Sequence, residues 1–109
     1  MFTLKQVKAN GGLTVDTMGK VVVYRNGYQV SKEDLAIIPV YKVRKSTLLE
    51  ILNTLSDGEC LGMWIDNGKM YIDCSERIGN KRVAIKVGKA RNQLSIYNWK
   101  TGDCIPCLA

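Results

Sequence analysis

The chain has 109 residues, enough for one domain with a single core but not for two. Hydrophobic residues at 46% and charged residues at 24% are the balance of a folded globular protein and exclude intrinsic disorder. Sixteen Lys and Arg against ten Asp and Glu give a charge of +6, which favours anionic partners, while the absence of histidine removes His-dependent catalytic triads and His-containing zinc sites.

Residues 1–40 predict an antiparallel β meander. A strand over 2–8 turns at Asn10-Gly11-Gly12, returns over 13–16 and reverses at Thr17-Met18-Gly19. A strand over 20–25 then pairs with 28–31 about Asn26-Gly27, setting Arg25 opposite Tyr28, Tyr24 opposite Gln29 and Val23 opposite Val30. Asn-Gly is the favoured type I′ pair because both central residues need positive φ. The apolar run over 35–40 reads as a strand that Pro39 ends or confines to an edge.

A helix over 46–57 follows. Thr47 and Glu50 have capping-box spacing, Leu48, Ile51, Leu52 and Leu55 form one apolar stripe, and Asp57-Gly58 stops it. Residues 60–75 form a second hairpin about Asn67-Gly68. Its register sets Asp66 opposite Lys69, Ile65 opposite Met70, Trp64 opposite Tyr71 and Met63 opposite Ile72. Leu61, Met63, Ile65, Met70, Ile72 and Cys74 are the buried face. Trp64 stands beside Tyr71 on the other, flanked by Asp66, Lys69 and Asp73.

Asn80 opens a second helix over 80–91, with Val83, Ala84, Val87 and Ala90 turned inward. Arg82, Lys86 and Lys89 form a basic stripe on its other side. Between Glu76 and Arg91 six basic residues face one acidic residue. Strands over 94–108 close the chain, with Leu94 and Ile96 inward and Ser95, Tyr97 and Trp99 outward. The expected class is α+β: a mostly antiparallel sheet with two Asn-Gly hairpins, covered by two helices.

Catalysis finds little support. Asp66 and Asp73 lie near opposite ends of their hairpin, and there is no phosphate loop, dinucleotide fingerprint or nucleophile elbow. A non-enzymatic protein without a cofactor is expected. Cys104-Ile105-Pro106-Cys107 has the spacing of a zinc or redox pair. A four-cysteine site needs Cys60 and Cys74 to join it, yet these project from opposite hairpin faces. A redox pair needs a following helix, and only two residues follow. The cysteines read as small hydrophobes, with metal binding by Cys104 and Cys107 left open.

Binding chemistry is better supplied. Arg91 offers a planar fork for phosphate or carboxylate, and Asn92 and Gln93 offer paired donors and acceptors. Trp64, Tyr71, Tyr97 and Trp99 are stacking plates. The expected ligand site is Arg91, Asn92, Gln93, Trp64, Tyr71 and Lys69, with Arg82, Lys86 and Lys89 as an anion-attracting surface. The structural alternative makes Asn92 a helix C-cap, Tyr97 and Trp99 sheet filling, and the stripe a solvated face. No apolar run approaches the ~20 residues of a bilayer span, and no export leader opens the chain, so a cytoplasmic location without membrane contact is expected.

The segments Leu61-Gly62-Met63-Trp64-Ile65-Asp66-Asn67-Gly68-Lys69-Met70-Tyr71-Ile72-Asp73 and Arg91-Asn92-Gln93-Leu94-Ser95-Ile96-Tyr97-Asn98-Trp99 resemble small accessory proteins of bacteriophages and integrated elements. Gly27-Tyr28-Gln29-Val30-Ser31 resembles them too. In size and make-up the chain is similar to the first kind of Thoeris anti-defence protein. That resemblance implies capture, without degradation, of a cyclic ADP-ribose signal in the host cytoplasm. It also implies a homo-oligomer with pockets shared between subunits, holding Arg91, Asn92 and an aromatic of the hairpin. The alternatives are a nucleic-acid-binding accessory module and a protein inhibitor of a host defence enzyme.

Overall fold

The computed structural model describes residues 1–107. The elements run α1 (Leu4–Asn10), β1 (Gly12–Val15), β2 (Tyr28–Pro39), a 3-10 turn (Val40–Lys42), α2 (Lys45–Leu52), β3 (Cys60–Asp66), β4 (Lys69–Ile78), α3 (Lys81–Ala90), β5 (Ser95–Asn98) and β6 (Cys104–Pro106). The fold is α+β, with strands hydrogen-bonded in the order β1-β3-β4-β2-β5-β6. Leu108, which the sequence assigns to the last strand, lies outside the described residues. Length alone argues for one core, whereas the apolar side chains gather in two, one in each of two compact units.

The first unit comprises residues 1–22 and 34–74. It opens with a helix where the sequence predicts a strand over 2–8. The Thr3 hydroxyl accepts from the Gln6 amide at 3.1 Å and Gln6 Oε1 accepts from the Thr3 amide at 2.9 Å, a complete capping box. Leu4 and Val7 then share one face, and Gly11 ends the helix at φ 76°. Two apolar positions in alternation, Phe2 and Leu4, do not outweigh that cap. Phe2 is instead a fully buried core residue.

Asp16 Oδ1 accepts from the amides of Met18 and Lys20, each at 2.9 Å, and tightens the reversal after β1. The chain folds back on β1, with Val15 bridged to Val21 and the Val22 amide donating to Thr14. The strand expected over 20–25 therefore does not form, nor does its pairing with 28–31. Asn26 is not at positive φ, so a type I′ turn is absent there, and 25–27 is a bend. Asn67 and Gly68, at φ 51° and 73°, join β3 to β4 with both residues in the required region.

α2 starts at Lys45 and stops at Leu52, shorter than the 46–57 expected. Arg44 is its N-cap, so the Thr47–Glu50 box does not form. Leu48 and Leu52 are buried with Leu61, Met63, Met70 and Ile72, and Ile51 and Leu55 pack at the margin.

The second unit comprises residues 23–33 and 75 onward. β2 runs unbroken through Ser31-Lys32-Glu33-Asp34, where the sequence suggests a connection. Tyr28 and Gln29 pair with Asn98 and Tyr97 of β5, and β5 pairs with β6. Val30, Ala84, Ile96 and Cys107 form the core. α3 buries Ala84 and Gly88, with Ile85 and Val87 beside them, while Val83 and Ala90 are exposed. The inward face thus keeps Ala84 and Val87 of the four expected and has Ile85 and Gly88 in place of Val83 and Ala90. Counting apolar side chains passes over Gly88, whose bare backbone allows close approach: a Cβ there would stand 2.6 Å from Cys107 Sγ. Leu94, expected inward, is 78% exposed, and Trp99 falls in the turn after β5.

Candidate functional site

The end of α3 positions the leading candidate, Arg91. The Asn92 amide donates to the Lys89 carbonyl at 3.0 Å and the Gln93 amide to the Gly88 carbonyl at 2.9 Å. With Asn92 at φ 58°, this is a Schellman motif whose left-handed residue is asparagine. The backbone of Asn92 therefore does the capping named above as its structural alternative, and its side chain is exposed.

Arg91 occupies the C-cap, where the helix dipole favours a cation. Its Nη2 donates to Glu76 Oε1 at 2.6 Å, and Lys32 Nζ stands 3.8 Å from Glu76 Oε2. The Arg91 and Glu76 side chains are 24% and 30% exposed. Arg91 Nη1 is buried, and no acceptor among the described residues reaches it. Gln93 contributes only a long contact of 3.5 Å, from Nε2 to the Arg91 carbonyl. One carboxylate thus lies between two cations, and Arg91 keeps a pair of N–H groups that no acceptor among the described residues uses.

A second cluster in this unit is aromatic. Trp99 Nε1 donates to Gln29 Oε1 and Gln29 Nε2 donates to the hydroxyl of buried Ser75, both at 2.9 Å. Tyr24 and Tyr97 meet Trp99 edge to face, with centroids 5.4 and 5.0 Å away. The Arg77 guanidinium lies 5.3 Å from the Tyr24 centroid and donates from Nε and Nη2 to the carbonyl and side-chain oxygens of Asn26. Gly27 is required beneath it, since at φ 88° a Cβ would stand 2.7 Å from Arg77 Nε. Tyr97 and Trp99 are therefore tied to each other rather than presented as parallel plates. Of this cluster the sequence singled out only those two rings. Tyr24, Asn26, Gln29, Ser75 and Arg77 come from two further segments, 24–29 and 75–77, and leave no local signature.

The remaining candidates divide. Trp64, Tyr71 and Lys69 belong to the first unit, where Trp64 is 63% exposed and Tyr71 and Lys69 also reach solvent. Arg91, Asn92 and Gln93 belong to the second. On α3, Lys81, Arg82, Lys86 and Lys89 are all exposed, and none makes an ion pair among the described residues.

Of the C-x-x-C pair, Cys104 lies on β6 and Cys107 in the bend just after it, and both are free thiols. Cys104 is exposed opposite Tyr97, and Cys107 is buried. Burial pushes the Cys107 thiol above its ordinary pKa, with Lys89 opposing. Among the described residues no group of three or more His, Cys, Asp or Glu side chains is arranged to hold a metal ion. Among the described residues no helix is long and apolar enough to cross a membrane. Comparison with protein-family models, with curated proteins and with solved structures finds no match to the chain.

Proposed function

We propose that this protein binds an anionic, nucleotide-like small molecule without transforming it, sequestering a signal such as a cyclic ADP-ribose in the cytoplasm of a host cell. The carrying observation is Arg91, anchored by one terminal nitrogen while the other is buried without an acceptor. A guanidinium fork recognises two oxygens of one anion, and a phosphoryl group supplies them. The unneutralised cations of α3 add attraction over longer range. The resemblance to phage accessory and anti-defence proteins supports the choice of a signal nucleotide. Calorimetry against cyclic ADP-ribose isomers and cyclic oligonucleotides, with recovery of the ligand after denaturation, tests the reading. Binding of one of them and its intact return are expected; no heat with any of them overturns it.

The exposed stripe on α3 favours a second reading, nucleic-acid binding. Arg82, Lys86 and Lys89 are spaced by about 6 and then about 4.5 Å along the helix axis, an arrangement that can follow a phosphate backbone. The triple reversal R82E/K86E/K89E should then abolish DNA or RNA binding that is steeply salt-dependent. A small-molecule sponge would depend on Arg91 instead.

A further inference from the structure

The contact between Arg91 and Glu76 is incomplete on both sides. Glu76 gives Oε1 to Arg91 Nη2, while its other oxygen faces Lys32 at 3.8 Å, longer than a hydrogen bond. Arg91 uses one terminal nitrogen and holds the other buried, with no acceptor among the described residues. A carboxylate meeting a guanidinium fork squarely would engage two nitrogens at once. Glu76 is shared between two cations and does not fully satisfy Arg91.

We propose that Glu76 is an internal stand-in for the ligand's oxyanion: an incoming phosphoryl group takes both terminal nitrogens of Arg91, and Glu76 shifts onto Lys32. This rests on the anion-binding reading above and names the residues that set its affinity. Before the exchange, Glu76 divides its two oxygens between Arg91 and Lys32. Afterwards Arg91 faces the phosphoryl oxygens and Glu76 faces Lys32 alone. The exchange also gives Nη1 an acceptor, which removes the penalty of a buried, unsatisfied donor. Glu76 thereby competes with the ligand and keeps Arg91 oriented in its absence. Lys32 receives the displaced carboxylate and is a positioning residue.

Titration with inorganic phosphate, followed by the side-chain nitrogen resonances of Arg91, tests the exchange directly. Glu76→Gln should bind phosphate about five- to tenfold more tightly than the unmodified chain, the scale of one partly screened charge-assisted hydrogen bond. Lys32→Met should weaken binding, because the carboxylate loses its second partner. Adding Arg91→Lys to Glu76→Gln should return binding to the weak level of a lone ammonium. Glu76→Asp, which draws the carboxylate back by one methylene, should also tighten binding and serves if the glutamine variant fails to fold. Unchanged or weaker phosphate binding by a folded Glu76 variant overturns the proposal. Nucleotide binding by the unmodified chain with no gain in these variants overturns the exchange alone. A gain for phosphate with no nucleotide bound overturns the nucleotide reading and leaves the exchange standing.

Discussion

Substituting Gly88 by alanine sets two known effects against each other. Alanine is the better helix former by roughly 1 kcal/mol, so on an exposed helix face the change would stabilise. On α3 the new methyl would stand 2.6 Å from Cys107 Sγ and 3.1 Å from Ile96 Cγ2. Both neighbours are only 2% exposed, so neither can retreat into solvent. Overpacking of that kind costs about 1–3 kcal/mol, which leaves a net destabilisation of about 1 kcal/mol. Cys107→Ala removes the sulfur and gives the methyl its space. In that background Gly88→Ala should change sign and stabilise, for a coupling of about 2 kcal/mol between the two sites. Urea unfolding measures this, read by Trp99 fluorescence after Trp64→Phe has silenced the other indole. If Gly88→Ala stabilises equally with and without Cys107, the helix does not lie against that sulfur and the packing of the second core is wrong.

Three further outcomes follow from the same unit. Gln29→Met keeps bulk but leaves the Trp99 indole N–H and the Ser75 hydroxyl without their amide partner; it should cost about 1–3 kcal/mol and shift Trp99 emission, and unchanged emission would refute the bridge. Asn92→Gly should be neutral to slightly stabilising because φ is positive there, while Asn92→Ala should cost roughly 1 kcal/mol in thermal unfolding. Equal stability of those two variants would deny the left-handed cap. Because the folded Cys107 thiol titrates above its ordinary 9.0, its contribution to stability is full below that pH; it is lost as pH rises beyond 9.0, where the unfolded chain ionises first. Cys107→Ala should flatten that part of the alkaline decline, and an equally steep decline in both proteins would refute the assignment.

Two identical dipeptides show where local reading succeeds and where it stops. Asn67-Gly68 adopts the backbone its letters favour: two alternating segments flank it, and the one remote contact, the Val40 amide donating to the Gly68 carbonyl at 2.8 Å, is compatible with the turn. At Asn26-Gly27, Arg77 lies 51 residues on and takes both the carbonyl and the side-chain oxygen of Asn26. Tertiary contacts there override the turn, and no local rule anticipates them. The first helix is different, since Thr3 and Gln6 stand in plain view with capping-box spacing. That element is legible, since a capping box is a stronger signal than two alternating apolar residues. The inward face of α3 was only half legible, for the decisive residue, Gly88, has no side chain to count. At the candidate site, Arg91 and the basic run stand out in sequence. Glu76 does not, because it pairs with Arg91 across 15 residues, from β4 to the end of α3, and no local pattern marks such a pair.

The distribution of charge pairing in the second unit bears on why Glu76 is there. Among the described residues the four exposed cations of α3 make no ion pair, whereas Arg91, which is largely buried, does. Desolvation accounts for that choice: an exposed pair contributes about 0–1 kcal/mol, whereas a buried cation without a partner is costly. If stability were the whole reason, replacing both residues by apolar ones of similar size should serve as well, since such exchanges are often neutral or stabilising. The comparison is therefore between Glu76→Ala, which strands Arg91, and the double variant Glu76→Leu/Arg91→Met, which removes both charges. Glu76→Ala should be destabilised by about 1–2 kcal/mol, below the ~3–5 kcal/mol of a fully buried pair because both side chains retain some solvent. The double variant should recover that loss in urea unfolding while losing all anion binding. Recovery would mean that the fold does not need these charges and that their retention answers to the ligand. A double variant less stable than Glu76→Ala would assign the pair to the fold and leave Arg91 without a role in recognition.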